Sequence, residues 1–172
     1  MKRIGLLSDT HGCWDDNYLR FFDNCDEIWH AGDIGTPGII MRLRAFRPLR
    51  AVYGNIDGTD VKAMTSGVLR FDIEGLDTMI RHIGGYPGRY DRSLAQTLAT
   101  DPPRLLVCGH SHILKVMFDK RHDMLVINPG AAGQYGQQRV RTLVRFTIAD
   151  GKAGDLEVIE LPRNVLIRQD PD

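Results

Sequence analysis

Five short apolar runs, each leading directly into Asp, Asn, His or Gly residues, constrain the fold of this chain most strongly. Stretches with helical spacing separate several of these runs, and this alternation is typical of β-α-β units. We therefore predict parallel strands in the first part of the chain. The predicted strands are Ile4–Ser8, Glu27–His30, Leu49–Tyr53, Met79–His82 and Leu105–Cys108.

Three helices are predicted beside these strands. Asp15–Cys25 carries apolar residues at helical spacing, and Pro37 suits the first turn of a helix over Pro37–Phe46. A third helix over Asp91–Ala99 ends before two prolines at 102 and 103, which cannot continue it.

The remaining strands are predicted as three hairpins, which favours two packed sheets with helices outside them. The final residues, 169–172, are expected to fray. The hairpin strands are Val68–Ile73 and Asp77–Arg81 around Glu74–Leu76, Lys115–Asp119 and Met124–Ile127 around Lys120–Asp123, and Val140–Ile148 and Leu156–Leu161 around Asp150–Gly154.

Length and charge limit the classes of function. A chain of 172 residues, 42% hydrophobic, can bury a core without disulfides, so we expect a single domain over residues 1–172. The 22 basic residues balance the 22 acidic ones, and the formal net charge is zero. A neutral chain lacks the long-range attraction of a non-specific nucleic-acid or anionic-membrane binder, which argues against both partners.

The cysteines and the N-terminus indicate the compartment. Cys13, Cys25 and Cys108 are odd in number and lack paired spacing, so we expect free thiols in a reducing environment. The apolar stretch after the N-terminal charges is too short for a signal peptide, and no run approaches the ~20 residues of a membrane helix. We predict a soluble, cytoplasmic protein.

The polar residues that follow the five strands form the candidate site. Since the carboxyl ends of parallel strands share one edge of an open sheet, these side chains are expected to converge. Four of the chain's six histidines belong to this set. The candidate metal ligands are Asp9, His11, Asp33, Asn55, His82, His110 and His112.

Each motif alone also has a structural interpretation. Asp9 could cap a helix or brace a turn, and Gly32-Asp33 or Gly54-Asn55 alone is more often a turn. His82 could be a partly buried histidine with satisfied hydrogen bonds. His30 is either an ordinary strand histidine or a residue that supports the ligands. The coincidence of all the motifs favours a metal site.

Ligand chemistry favours two metal ions. Seven nitrogen and oxygen ligands without a thiolate are too many for one tetrahedral zinc, but they suit two ions that share a carboxylate. The set favours divalent Mn, Fe, Co, Ni or Zn over Ca²⁺, which takes oxygen ligands, and Cu(I), which prefers sulfur.

The ordered motifs resemble those of the calcineurin-like metallophosphoesterases, most closely their small prokaryotic phosphodiesterase branch. Together with Asn128-Pro129-Gly130, they cover about three quarters of the chain. The resemblance implies an α/β (α+β) fold, a four-layer αββα sandwich of two mixed β-sheets flanked by helices. The motifs are Ser8-Asp9-Thr10-His11-Gly12, Gly32-Asp33, Gly54-Asn55-Ile56-Asp57, His82 and Gly109-His110-Ser111-His112.

The resemblance also implies roles for the ligands. Asp9, His11 and His112 would hold the first metal, Asn55, His82 and His110 the second, and Asp33 would bridge both. Asp33, Asn55 and His82 are the predicted catalytic residues. Two divalent ions, Mn²⁺ first among them, would activate a bridging water for in-line attack on a small phosphate ester.

Two features concern the substrate. Ile56 stands where many relatives have a histidine that protonates the leaving group, although the small prokaryotic branch commonly lacks it too. Asn55, Arg89 and Tyr86 are the predicted substrate-binding residues. The alternative for the loop of residues 82–90 is a tight connection with its tyrosines packed on the core.

Other classes of function stay open at this point. A protein-interaction scaffold on the same fold, as in the retromer subunit, is the main alternative, but every proposed ligand is present in this chain. The neutral charge argues against a nuclease subunit. A preference for monoesters or diesters is not fixed by the sequence, and neither is homo-oligomer formation.

Overall fold

Two five-stranded mixed sheets pack against each other, with helices on both outer surfaces. The computed structural model describes residues 1–163, so the predicted fraying of residues 169–172 lies outside the described residues. The strands in chain order are β1 (Lys2–Leu7), β2 (Glu27–His30), β3 (Leu49–Ala51), β4 (Val68–Ile73), β5 (Leu76–Arg81), β6 (Gly85–Tyr86), β7 (Arg89–Tyr90), β8 (Leu105–Val107), β9 (Leu114–Asp119), β10 (Met124–Pro129), β11 (Arg141–Ala149) and β12 (Lys152–Leu161).

The first sheet has the order β12-β11-β1-β2-β3 and the second the order β4-β5-β8-β10-β9, while β6 and β7 form a separate small hairpin. Each sheet contains three parallel strands, which are β1, β2 and β3 at one side of the first sheet and β5, β8 and β10 at the centre of the second. The remaining pairings are antiparallel.

Three apolar clusters separate the four layers. Helices α1 (Asn17–Phe21), α2 (Pro37–Phe46) and α3 (Thr59–Met64) pack on the first sheet. A second cluster that includes Trp29 and Ile80 lies between the sheets. A third lies between the second sheet and α4 (Ala95–Thr100). The predicted four-layer sandwich is confirmed.

Several local predictions differ from the structure at element ends. Helix α1 begins only at Asn17, because the Asp15 carboxylate binds the backbone N–H of Asn17 and forms a turn instead. Cys25 lies beyond this helix, although it is buried in the core. The third predicted helix begins as a 3₁₀ turn, Arg92–Leu94, before α4. Helix α3 was not predicted.

Two hairpin turns are tighter than predicted. Glu74 and Gly75 alone join β4 to β5, and both have positive φ angles, of 51° and 80°. Asp150 and Gly151 join β11 to β12 in the same way, with φ angles of 51° and 71°. Two left-handed residues give the turn that best matches the twist of paired strands. Leu76 therefore belongs to β5.

The predicted convergence of strand ends occurs between two sheets, not along one. The backbone N–H of Asp9, after β1, binds the carbonyl of Gly32, after β2. The N–H of His110, after β8 of the other sheet, binds the Asp9 carboxylate at 3.1 Å. The loops after the parallel strands of both sheets therefore meet at one end of the sandwich. Within residues 1–163, no helix is long and apolar enough to span a membrane.

Candidate metal centre

Five candidate ligands adopt an uncommon backbone conformation. Asp9, His11, Asp33, His110 and His112 have φ angles between 47° and 69°. This left-handed region is rarely occupied by residues other than glycine, and such strain is concentrated at functional sites. Each loop turns sharply at its polar residue, directly after a strand of the rigid sheets.

The first ligand group consists of Asp9, His11 and His112, whose ligand atoms all lie within 4.8 Å of one another. Asp9 Oδ2 accepts hydrogen bonds from Ser8 Oγ, at 2.6 Å, and from the backbone of His110. Asp9 Oδ1 lies 3.2 Å from His112 Nε2 and is buried without a hydrogen-bond partner among the described residues. A buried carboxylate oxygen that lacks a donor suits a cation.

The second ligand group consists of Asp33, His82 and His110. Asp33 Oδ1 accepts a hydrogen bond from the backbone N–H of Ile56 at 3.1 Å. Its other oxygen, Oδ2, lies 3.2 Å from His82 Nε2 and 3.6 Å from His11 Nε2. Asp33 Oδ2 therefore lies close to a histidine of each ligand group.

The hydrogen bonds of two histidines fix where their protons lie. His82 Nδ1 is 2.8 Å from the carbonyl oxygen of Ala31, which only accepts, so Nδ1 carries the proton. The Nε2 atom of neutral His82 then presents a lone pair, and it is buried without a hydrogen-bond partner in the described part of the chain. A lone pair that faces carboxylate oxygens is an arrangement that a cation stabilises.

His112 is oriented in the same way. Its Nδ1 lies 3.2 Å from Gln138 Oε1, while the Gln138 amide nitrogen donates to the carbonyls of Gly133 and Tyr135. Gln138 Oε1 is therefore the acceptor and His112 Nδ1 the donor. As in His82, the neutral ring presents its Nε2 lone pair to a carboxylate, here that of Asp9.

Without a bound cation, the carboxylates shift the pKa values of the histidines. Burial opposes a charge on His82, but the neighbouring Asp33 and Asp9 outweigh it and raise the pKa of His82. The hydrogen bond to Asp9 raises the pKa of His112. At His11, burial is the largest influence and lowers the pKa. The two carboxylates thus give the site a negative field that attracts cations.

Asp57 holds two of the loops together. Its carboxylate is buried and accepts backbone hydrogen bonds from Ile34, Gly35 and Gly54. The loop that carries Asp33 is thereby tied to the loop that carries Asn55. Gly54 is required at this junction, because a Cβ atom there would lie 2.0 Å from Asp33 Oδ1.

His30 contacts the loops rather than the candidate ligands. Its Nδ1 accepts from the backbone N–H of Gly32 at 3.2 Å, and its Nε2–H donates to Thr10 Oγ1 at 2.9 Å. The Thr10 hydroxyl donates its own hydrogen bond to the Ile34 carbonyl. Complete burial lowers the pKa of His30 to about 4, so the ring is neutral at physiological pH. His30 therefore positions the turns on either side of Asp9 and Asp33.

Asn128 supports the loop of residues 109–112. Its amide nitrogen donates to the carbonyl of Gly109 at 2.7 Å and to Ser111 Oγ at 3.1 Å. Its amide oxygen accepts from the backbone N–H of Gly130. These bonds fix the backbone on either side of His110.

Two clefts border the second ligand group and separate the predicted substrate-binding residues. A cleft of about 240 Å³ is lined by Asn55 and His82. Another, of about 210 Å³, is lined by His110, Arg89 and Tyr86. Of these two clefts, Asn55 therefore lines one, and Arg89 and Tyr86 line the other.

The loop of residues 82–90 combines both alternatives that the sequence left open. The Lys115 ammonium lies 3.4 Å from the ring centroid of Tyr86, and Tyr90 donates a 2.6 Å hydrogen bond to Asp119. Both tyrosines are thus held by the protein itself. Arg89 is exposed on this loop, so it has more freedom than Tyr86 or Tyr90 to contact a ligand.

Sequence reasoning missed Tyr135 and Gln138. Tyr135 is 69% exposed, and the centroid of its ring lies 4.8 Å from that of His11. Gln138 binds both His112 and the Tyr135 backbone. The only local signal was an aromatic residue between Gly133 and Gly136, shortly after Asn128-Pro129-Gly130.

Comparison with known families agrees with the arrangement of these loops. Residues 1–151 match the model of the calcineurin-like phosphoesterase superfamily domain. The chain belongs to this superfamily. The sequence motifs that carried the resemblance to this superfamily lie at the strand ends.

Curated archaeal relatives of this superfamily member are similar over most of their length. A probable metallophosphoesterase of Methanothermobacter thermautotrophicus is 31% identical over 137 residues, which are 74% of this chain and 76% of the relative. A phosphodiesterase of Methanocaldococcus jannaschii is 25% identical over 149 residues, 77% of this chain and 86% of the relative. The superfamily assignment supports phosphoesterase activity and metal dependence.

Solved structures share the fold of this superfamily member. An archaeal phosphodiesterase structure has a TM-score of 0.72 at 22% identity, covering 92% of this chain and 99% of that one. The zinc complex of wild-type Vps29 from Entamoeba histolytica has a TM-score of 0.71 at 17% identity, covering 94% and 99%. At these identities the likeness concerns the fold alone.

Proposed function

We propose that this protein is a phosphodiesterase that uses two divalent metal ions to hydrolyse a small phosphate ester. The observation that carries the proposal is the position of Asp33, whose Oδ2 lies within 3.6 Å of imidazole nitrogens from both ligand groups. A carboxylate between two sets of ligands is the usual bridge of a two-metal site.

The donor atoms present fit such ions. Asp9, His11 and His112 would hold one ion and Asn55, His82 and His110 the other, with Asp33 shared between them. Imidazole and carboxylate ligands suit Mn²⁺, which we propose first, and equally Fe, Co, Ni or Zn. When bound, the ions supply Lewis-acid charge to the phosphoryl oxygens and activate water at neutral pH.

The chain's own residues prepare this chemistry. Ala31 and Gln138 keep the Nδ1 protons of His82 and His112 in place, so that Nε2 of each ring is free to bind a cation. The Ile56 backbone N–H and Asp57 fix the loops of Asp33 and Asn55. No side chain needs to act as the nucleophile.

Two observations bear on the choice between an enzyme and a scaffold. The phosphodiesterase among the curated relatives supports the enzyme. The likeness to Vps29 keeps the scaffold as a second candidate. Asp9 Oδ1 and His82 Nε2 are buried and have no hydrogen-bond partner within residues 1–163, which favours the enzyme, because a scaffold gains nothing from leaving them unpaired.

Substitution of the bridging residue tests the proposal. We expect Asp33→Asn to lose metal and at least about 100-fold in turnover, because the neutral amide cannot bridge two cations. Bound metal is measured by elemental analysis after gel filtration, and turnover with an aryl phosphodiester. Asp23→Asn, at an exposed carboxylate, is the matched control. Near-normal turnover of Asp33→Asn would contradict the two-metal assignment.

A further inference from the structure

The cleft beside Asn55 and His82 carries two basic side chains that the proposed metal site does not use. Lys62 enters it from α3, and Arg81, the last residue of β5, enters it from the other sheet. The remaining lining residues include Tyr53 and Ile83, and none of the described lining residues is an aspartate or glutamate.

Neither cation is paired directly with a carboxylate of the described residues, although the Ser93 hydroxyl links Arg81 to Asp91. Among residues 1–163, Lys62 and Arg81 form no ion pair within 4.0 Å. A terminal nitrogen of Arg81 donates to Ser93 Oγ at 2.7 Å, but its Nε is buried without a hydrogen-bond partner in the described part of the chain. The Lys62 ammonium lies 5.4 Å from the ring centroid of Tyr53. A guanidinium with a buried, unpaired N–H has lost part of its hydration, which favours an anion close to it.

The second cleft is a poorer anion site. There Lys115 is already held over the Tyr86 ring, and Asp91 contributes a carboxylate to the lining. The first cleft therefore brings two cations together with no carboxylate among its described lining residues, in a chain whose net charge is zero. Arginine and lysine together are the usual partners of phosphate oxygens.

We propose that Lys62 and Arg81 form a binding site for a second phosphate group of the substrate. The preferred substrate is then a phosphate ester whose alcohol or aryl portion carries a further phosphate. This inference rests on the proposed function, because the reacting phosphate is taken to lie at the adjacent Asn55 and His82.

A binding measurement tests the site without turnover. The probes are phenylphosphonate and benzene-1,4-diphosphonate, titrated calorimetrically into the metal-loaded protein. We expect the diphosphonate to bind at least about tenfold more tightly, as one charge-assisted contact would give. Lys62→Gln and Arg81→Gln should each reduce this ratio about tenfold, Arg81→Lys should retain part of it, and the exposed Lys120→Gln should leave it unchanged.

The hydrolysis measurement separates the two proposals. Diphenyl phosphate and the same diester with a phosphonate group on one ring differ only by the second anionic group, and kcat/KM should favour the phosphonate-bearing diester in the wild type but not in Lys62→Gln. An affinity ratio that is equal in the wild type and both glutamine variants overturns the anion site, whatever the turnover. If neither ester is hydrolysed but the ratio falls in the variants, the anion site stands and the proposed activity fails. Lys62 is exposed, so Lys62→Gln keeps the test valid if Arg81→Gln does not fold.

Discussion

Ile56 lies next to the proposed bridging residue, since its backbone N–H binds Asp33 Oδ1, and the residue is 47% exposed. A hydrocarbon side chain cannot protonate a departing alkoxide. The rate of the proposed enzyme should therefore depend steeply on the pKa of the leaving group. A series of aryl esters with graded leaving groups measures this slope.

Ile56→His should flatten that slope, since an imidazole near the leaving group can donate a proton. Ile56→Leu, which keeps the side chain apolar, is the matched control and should keep the steep slope. A flat dependence in the wild type would show that another group already protonates the leaving oxygen.

The low pKa of His30 leads to a prediction about how the free energy of unfolding depends on pH. Its pKa is about 4 in the folded protein and 6.5 in a solvated chain. As pH falls below 6.5, the unfolded chain takes up a proton that the folded protein does not, so the free energy of unfolding decreases. Between pH 7.5 and 5.0 this amounts to about 2 kcal/mol, and the loss levels off only below pH 4, about the pKa in the folded protein.

Chemical denaturation of metal-free wild type and His30→Gln measures this effect. The wild type should lose about 2 kcal/mol more than the variant between the two pH values. His82 and His112 have raised pKa values and act in the opposite direction, but they are present in both proteins and cancel in the comparison. An equal loss in both proteins would show that His30 is charged or solvated.

At the scale of single residues, the sequence predicted those polar side chains that are unusual after a buried strand. Asp9, His11 and His112 could be recognised as candidate ligands because few structural roles require such residues after buried strands, whereas their grouping around one metal was implied by the family resemblance. Tyr135 and Gln138 could not be found, since their roles come from where a long loop returns in space.

At the scale of structural elements, the next prediction concerns the loop between β3 and α3. The Gly54→Ala substitution would place a methyl group against Asp33 Oδ1 while leaving the strands untouched. We expect metal affinity to fall about 10- to 100-fold with little change in secondary structure. Competition with a chromophoric chelator measures the affinity, and circular dichroism the fold.

Gly154→Ala in β12 is the control for this loop variant. The added Cβ would meet only Thr147 Oγ1, at an ordinary 3.7 Å, so metal affinity should not change. If Gly54→Ala bound metal as tightly as this control, the close approach of the two loops would not matter for the site.

The elements differ in how well the sequence predicts them. The bounds of α2 and β4 agree with the predicted ones, because each carries a clear apolar pattern or a proline signal at its start. Helix α3 has a single buried apolar residue, Val61, and so lacks the stripe that reveals a helix. Lys62, which lies on this helix, was missed with it.

For the whole molecule, the sequence predicted the four layers through a family resemblance and the convergence of polar residues through strand ends. It did not show that the converging ends belong to two sheets. Parallel strands of either sheet carry the same local pattern, and only the packing of Trp29 and Ile80 between the sheets distinguishes the arrangements.

At the scale of the whole molecule, a net charge of zero does not exclude a strongly charged pocket. Two divalent ions would add four positive charges to one end of the sandwich, opposed there by Asp9 and Asp33. The balance of 22 basic and 22 acidic residues would then coexist with an electropositive pocket. Such a pocket suits a small phosphate ester better than a long nucleic-acid backbone.

The most direct test of the proposed function is hydrolysis by the metal-reconstituted protein of a matched aryl phosphomonoester and phosphodiester, with and without a chelator. We predict turnover with Mn²⁺, the diester being the better substrate, its loss on chelation and its return when metal is added back. Absence of metal-dependent hydrolysis of both esters would contradict the enzyme and favour the scaffold.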